Sequence, residues 1–253
     1  MKNKPLGYIA YEGKSALDGA PIVVIVNKID SASANDKTGA LVQTFIIRSD
    51  IEPTEALKTG DDASICGDCI HRPILAKKHG TAPCYVNVGR SVLAVYRAYK
   101  RGRYAKISRE QLALKLAGKQ LRIGTYGDPA AAPVKLWQTL TKYTIGHVGY
   151  THQWHNPKID ARQWARLTMA SADNIHESEQ AHALGYRTFR VSIGVDVKNG
   201  EISCPASAEA GKRTTCDSCM LCGGTTKRAK NIVIADHAVG HKSRVINIKP
   251  VAV

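Results

Sequence analysis

Apolar positions open the chain in short β-branched and aromatic runs. Tyr8-Ile9-Ala10-Tyr11, Ile22-Val23-Val24-Ile25-Val26 and residues 41–47 are bounded by turn formers and predict three strands. The pattern then lapses over residues 61–83, which predict an irregular segment. Residues 91–101 read as a helix. Ser108-Arg109-Glu110-Gln111 is a capping box, so a further helix runs to about Ala117 and stops at Gly118. Beyond it the period switches repeatedly. Strands are predicted at residues 121–125, 145–151, 166–170, 186–193 and 231–234, and helices at 133–140 and 175–184.

Strands alternating with helices point to βαβ units and a parallel sheet. The expected fold class is therefore α/β, a (β/α) barrel or partial barrel with a strand-rich N-terminal segment and metal-stapled cysteine insertions. One domain, residues 1–253, is expected, strand-rich over 1–60 and barrel-like over 61–253.

Cysteine spacing changes the picture most. All seven cysteines fall into two groups, Cys66-Gly67-Asp68-Cys69 with Cys84, and Cys204 with Cys216-Asp217-Ser218-Cys219-Met220-Leu221-Cys222. A C-x-x-C pair forms a disulfide, holds two buried thiols or ligates metal. No apolar leader follows Met1, and no run reaches the roughly 18 apolar residues of a membrane span. A cytoplasmic location without membrane contact is expected. There thiols stay reduced and clustered cysteines favour zinc or iron. Cys204, Cys216, Cys219 and Cys222 suffice to close a zinc site, with His237 or His241 as replacements for Cys204. The same run also resembles part of an iron–sulfur pattern. Cys66, Cys69 and Cys84 are three, so a fourth ligand comes from elsewhere (His71 is adjacent) or the site stays open for chemistry.

Charge adds a partner. Lys and Arg outnumber Asp and Glu 36 to 21, a net +15 that predicts DNA or RNA binding. Arg97, Lys100, Arg101, Arg103 and Lys106, interleaved with tyrosines, and Lys227 with Arg228 are the expected contacts. Solvated surface charge is the simpler alternative.

In α/β folds, chemistry gathers past the carboxyl ends of strands. That rule selects Tyr126-Gly127-Asp128-Pro129, Thr151-His152-Gln153-Trp154-His155, Asp173 and Asp236-His237. Asp128 and Asp173 are the candidate catalytic carboxylates; Tyr126, His152, Gln153 and Trp154 are candidate substrate contacts, suited to stacking and hydrogen bonding a planar base. As plain structure, Asp128 starts a turn and Asp173 caps a helix. No Walker A loop, G-x-G-x-x-G, H-E-x-x-H or G-x-S-x-G is present, which disfavours P-loop, simple dehydrogenase and α/β-hydrolase chemistry.

The segments Tyr126-Gly127-Asp128-Pro129, Gly149-Tyr150-Thr151-His152-Gln153-Trp154 and Cys204-Pro205-Ala206-Ser207 together resemble bacteriophage-encoded, cysteine-rich proteins of largely uncharacterised families. At greater distance the chain resembles tRNA- and DNA-guanine transglycosylases. That resemblance implies a base-modifying pentosyltransferase that exchanges guanine for a 7-deazaguanine in DNA, with Asp128 and Asp173 as its aspartates and zinc on Cys216, Cys219, Cys222 and His237 or His241. It departs from the family's C-x-C-x2-C run. The chain also resembles radical-SAM enzymes, through Cys66, Cys69 and Cys84-Tyr85 and through Gly127-Asp128-Pro129, which implies a [4Fe–4S] cluster with S-adenosylmethionine. The C-x2-C-x14-C spacing departs from that family's C-x3-C-x2-C. A third expectation is a non-catalytic, zinc-stapled nucleic-acid-binding protein.

Overall fold

The computed structural model describes residues 4–30, 36–80, 84–192, 194, 196–211 and 213–235. His237 and His241 lie outside the described residues. Gly7–Lys14 (β1), Pro21–Asn27 (β2) and Val42–Arg48 (β3) form an antiparallel meander. All three match the β-branched runs of the sequence. Tyr104–Lys106 (β4), predicted by nothing in the pattern, pairs parallel to β1 at the sheet edge.

From β3 onward the sheet is parallel. Gln120–Tyr126 (β5), Gly146–Thr151 (β6), Met169–Ala172 (β7) and Thr188–Ser192 (β8) follow in spatial order. Asn231–Ala235 (β10) pairs with β8, and Glu201–Ser203 (β9) pairs only on its far side. The ten-stranded sheet therefore runs β4-β1-β2-β3-β5-β6-β7-β8-β10-β9. The fold is mixed α/β.

Helices fill the connections. Pro53–Thr59 (α1) precedes the segment expected to be irregular, and Ala63–Cys66 (α2) and Pro73–His79 (α3) interrupt it. Leu93–Lys100 (α4) follows a π turn. In Arg109–Lys115 (α5) the expected capping box is complete, Ser108 accepting from Gln111 N and Gln111 accepting from Ser108 N. Val134–Thr141 (α6) buries Leu136, Trp137 and Leu140 on one face.

Ala161–Leu167 (α7) corrects the strand expected at 166–170. Asp160 caps this helix, accepting from Arg162 N and Gln163 N, and Trp164, Ala165 and Leu167 bury at helical spacing. Only Met169 and Ala170 of the expected strand belong to β7. Ile175–Ala183 (α8) agrees with expectation, capped by Asn174. Cys216–Cys219 (α9) is a single turn. The main core lies between β1–β3, β5 and the helices, around fully buried Ile22, Ile25, Ile46, Leu112, Leu121, Leu136 and Trp137. Burying such side chains contributes about 2 kcal/mol each.

Candidate functional site

One cavity of about 280 Å³ opens on the sheet and takes walls from both cysteine groups. Its floor is alternate residues of parallel strands: Val148 and Tyr150 on β6, Phe189 and Val191 on β8, Ile232 and Ile234 on β10. Period-two alternation sends these side chains to one face.

The early cysteines stand at the carboxyl end of the strands. Cys66 closes α2, and the chain reverses through Gly67 (φ +59°) toward Cys69. Glycine suits that positive φ, and a Cβ would lie 2.3 Å from Gln153 Nε2, so Gln153 would have to move. Arg72 clamps the loop, donating to Gly60 O, Gly67 O (2.8 Å) and the buried Asp62 carboxylate (2.7 Å). Cys84 N donates to His71 O at 2.8 Å, which brings the third cysteine alongside. Burial pushes the Cys66 thiol up, and Cys69 and Cys84 beside it push it further. Cys66, Cys69 and Cys84 all line the cavity.

The expected carboxylates join this edge. Asp128 follows β5 and is buried; Oδ1 accepts from Ala130 N (2.9 Å) and Thr151 Oγ1 (2.7 Å), and Oδ2 accepts from His152 N (2.7 Å). It ties the end of β5 to the end of β6. Burial raises its pKa, and these donors partly oppose the rise. Asp173 follows β7 and takes a 2.8 Å hydrogen bond from His71 Nε2. His152 Nε2 lies 3.9 Å from the same oxygen, beside Cys69. Burial works against ionised Asp173, but the two histidines prevail and hold it well below the usual range. His71, His152 and Asp173 offer ligand atoms all within 4.8 Å of one another. Among the described residues, no three thiol sulfurs are that close.

Cys216 and Met220 lie near the amino ends of β3, β5 and β6, whereas Cys204 directly follows the carboxyl end of β9. Cys216 N donates to Lys37 O just before β3. Gln120, first residue of β5, donates to Asp217 O at 2.8 Å. Cys222 O accepts from Gly149 N on β6, and Cys204 N donates to Val233 O on β10. Met220 packs with Leu41 and Val148. Arg187 holds the loop's carbonyls: Nη1 donates to Leu221 O (2.8 Å) and Gly224 O (2.9 Å), Nε to Ala229 O (3.0 Å), and Nη2 to Lys230 O. Burial raises the Cys222 thiol to about 12, with Cys204, Cys216 and Cys219 adding to it against a Tyr150 hydrogen bond. All seven cysteines are free thiols.

Other expected residues are placed differently. Tyr126 and His152 line the cavity. Trp154 is buried in the core, its indole N–H donating to Ser171 O at 2.8 Å, and it is not a cavity wall. Gln153 turns to Asp68 (2.6 Å) and braces the cysteine turn. Of the basic stretch, Arg97, Lys100, Arg101 and Lys106 are exposed and Arg103 half-buried, but Tyr96 and Tyr104 are buried in the core and offer no stacking face. Lys106 pairs with Glu12. Lys227 and Arg228 are exposed. Sequence reasoning gave no site role to Arg122, and to Tyr85 and Tyr150 only a place within quoted motifs; all three stand in the cavity wall. A lone arginine between Leu121 and Ile123 reads as the wet side of an ordinary strand; only the covering cysteine loops make that side an interior.

Comparison with known protein families, with characterised proteins and with solved structures finds no match to the chain.

Proposed function

We propose that the chain is an iron–sulfur enzyme of the radical-SAM type, with Cys66, Cys69 and Cys84 holding a [4Fe–4S] cluster whose fourth iron faces the cavity. The three-thiol set carries this reading. It follows β3, the first of the parallel strands, and stands at the sheet's carboxyl edge on the one cavity both cysteine groups share. Three thiolates without a fourth cysteine leave one position open, as a substrate-binding cluster requires. Helices or cysteine loops between β3, β5, β6, β7, β8 and β10 support a six-stranded partial (β/α) barrel, in which the carboxyl edge carries chemistry and the amino edge stability. Cys204, Cys216, Cys219 and Cys222 then serve as a closed structural metal site on the far side of the cavity from the early group.

Such a cluster supplies a low-potential electron for reductive cleavage of S-adenosylmethionine. The protein's part is placement. Arg72 fixes the cysteine turn, Asp128 locks the β5 and β6 ends beside it, and Asp173 orients His71 and His152 toward the thiols. Apolar side chains of β6, β8 and β10 floor the cavity.

Guanine exchange by the two aspartates is the second reading, favoured by their shared strand edge. It asks for carboxylates free to attack and to take a proton, whereas Asp128 accepts three hydrogen bonds and Asp173 is held by His71.

Anaerobic purification decides between them. The expected protein is brown, carries iron and sulfide, and forms 5′-deoxyadenosine from S-adenosylmethionine under a strong reductant. Cys66→Ala and Cys84→Ala abolish that product. A colourless protein holding only zinc, and exchanging labelled guanine into DNA or tRNA, refutes the proposal in favour of the second reading.

A further inference from the structure

Arg122 stands in the cavity wall between the two cysteine groups. Its Nη2 donates to Tyr85 Oη at 2.9 Å, on the Cys84 side, and Cys216 lies on the other. Its Nε is buried without a hydrogen-bond partner. Among the described residues no carboxylate pairs with this guanidinium. The Tyr126 hydroxyl, another cavity wall, is likewise buried and unpartnered. Leaving a buried donor unpaired costs roughly 1–3 kcal/mol, and more for a cation, so an acceptor supplied by a ligand suits this wall.

The backbone puts both donors there by design of the strand. β5 bulges where Gln43 pairs with Arg122 and Phe45 next pairs with Tyr126, leaving three β5 residues opposite Thr44. Thr44 Oγ1 fastens the bulge, donating to Arg122 O and accepting from Gly124 N, both at 2.8 Å. Gly124 takes φ +68°, and a Cβ there would meet Gly127 O at 2.8 Å. Residues 122 and 124–126 consequently all line the cavity.

We propose that Arg122 forms an oxyanion subsite, and that the substrate is a small flat molecule bearing a carboxylate or phosphate. The guanidinium fork suits either head group. Tyr85, Tyr150, Phe189, Val191 and Ile232 supply aromatic and aliphatic walls for a planar body, and about 280 Å³ limits it to a small molecule. This names the substrate class of the enzyme proposed above and rests on that reading for its catalytic meaning.

Equilibrium dialysis of the intact metal-loaded protein with radiolabelled benzoate and with its neutral isostere benzamide tests the subsite. Benzoate is expected to bind saturably and benzamide about tenfold or more weakly, the scale of one charge-assisted hydrogen bond. Arg122→Gln is expected to erase that preference and Arg122→Lys to keep part of it, with metal content and visible spectrum unchanged. Inorganic phosphate displacing benzoate assigns a phosphate head group; failure to displace assigns a carboxylate. Equal binding of the two probes, no saturable binding of either, or a preference surviving in Arg122→Gln overturns the proposal. So does loss of metal from the late cysteines in Arg122→Gln, which makes Arg122 their counter-charge. A colourless zinc protein that still prefers benzoate through Arg122 sinks the iron–sulfur reading alone. A brown, S-adenosylmethionine-cleaving protein without the preference sinks the subsite alone.

Discussion

Gln153 occupies the space where a side chain on Gly67 would stand, 2.3 Å from the Cβ position. Left-handed backbone alone costs a non-glycine residue about 1–2 kcal/mol, and the steric conflict adds to it. Gly67→Ala is expected to open the Cys66–Cys69 turn, lowering stability by about 2 kcal/mol or more and releasing metal from the early cysteines. Metal analysis alongside urea unfolding reads both effects. An alanine variant with wild-type metal content would remove Gln153 from any part in shaping the turn. Chemistry at residue scale was partly legible: Cys66, Cys69, Cys84, Asp128, Asp173, His152 and Tyr126 do gather at one strand edge. Trp154 was not, because a tryptophan after a strand looks the same in sequence whether its ring faces substrate or core.

At the scale of elements, the late cysteine loop depends on one side chain it does not contain. Arg187 precedes β8 and donates to carbonyls of Leu221, Gly224, Ala229 and Lys230. Arg187→Met removes every one of those donors and leaves buried acceptors unmet. The expected result is loss of metal from Cys204, Cys216, Cys219 and Cys222 while the early group keeps its own, together with about 3 kcal/mol or more of lost stability. Metal stoichiometry of the variant checks it; loss from the early group instead contradicts the division of labour.

The edge beyond it responds to acid. Arg190 and Glu201 form a pair with side chains 4% and 3% exposed. Burial pushes the Glu201 carboxyl up, but Arg190 and the Lys198 N–H outweigh it, so its pKa lies below the ordinary value. With the folded pKa the lower one, the pair stabilises fully above the unfolded value of about 4.3. That contribution disappears as pH falls through the folded value. Glu201→Gln is expected to cost about 3 kcal/mol at neutral pH, and progressively less below about pH 4. Urea midpoints of both proteins across that range provide the comparison, and a constant gap contradicts it.

Elements with a full periodic pattern were legible: the meander β1–β3, the capped α5, and β5, β6, β8 and β10. Three-residue β4 and β9 were not, because so short a strand has no period and exists only through its partner. Residues 166 and 167 misled because buried Trp164, Ala165 and Leu167 belong to the same short apolar run as β7, and only Asp160's cap separates helix from strand.

For the whole molecule, the net charge of +15 remains the strongest pointer to a polyanion. With Tyr96 and Tyr104 buried, that contact is expected to be to phosphates and to ignore base identity. Lys227 and Arg228, exposed on the approach to β10, are the sharpest test. Replacing both by alanine is expected to reduce the slope of log affinity against log salt by about 1.5 for DNA or RNA. Filter binding at several salt concentrations measures it; an unchanged slope places the polyanion elsewhere on the surface.

Strand order also dictates timing. β9 leaves the ribosome before β10, yet its ladder partner is β10, and β10 itself must slot in beside β8. The segment carrying Cys204, Cys216, Cys219 and Cys222 lies between those two strands. Its cysteines therefore reach their places against β10 only after synthesis has passed Ala235, whereas the early cysteines and their parallel strands β3 and β5 are long since made. Were both groups to hold metal as proposed, its delivery to them would be ordered in time, and a nascent chain stalled short of β10 would expose four unprotected thiols to whatever metal or oxidant reached them first.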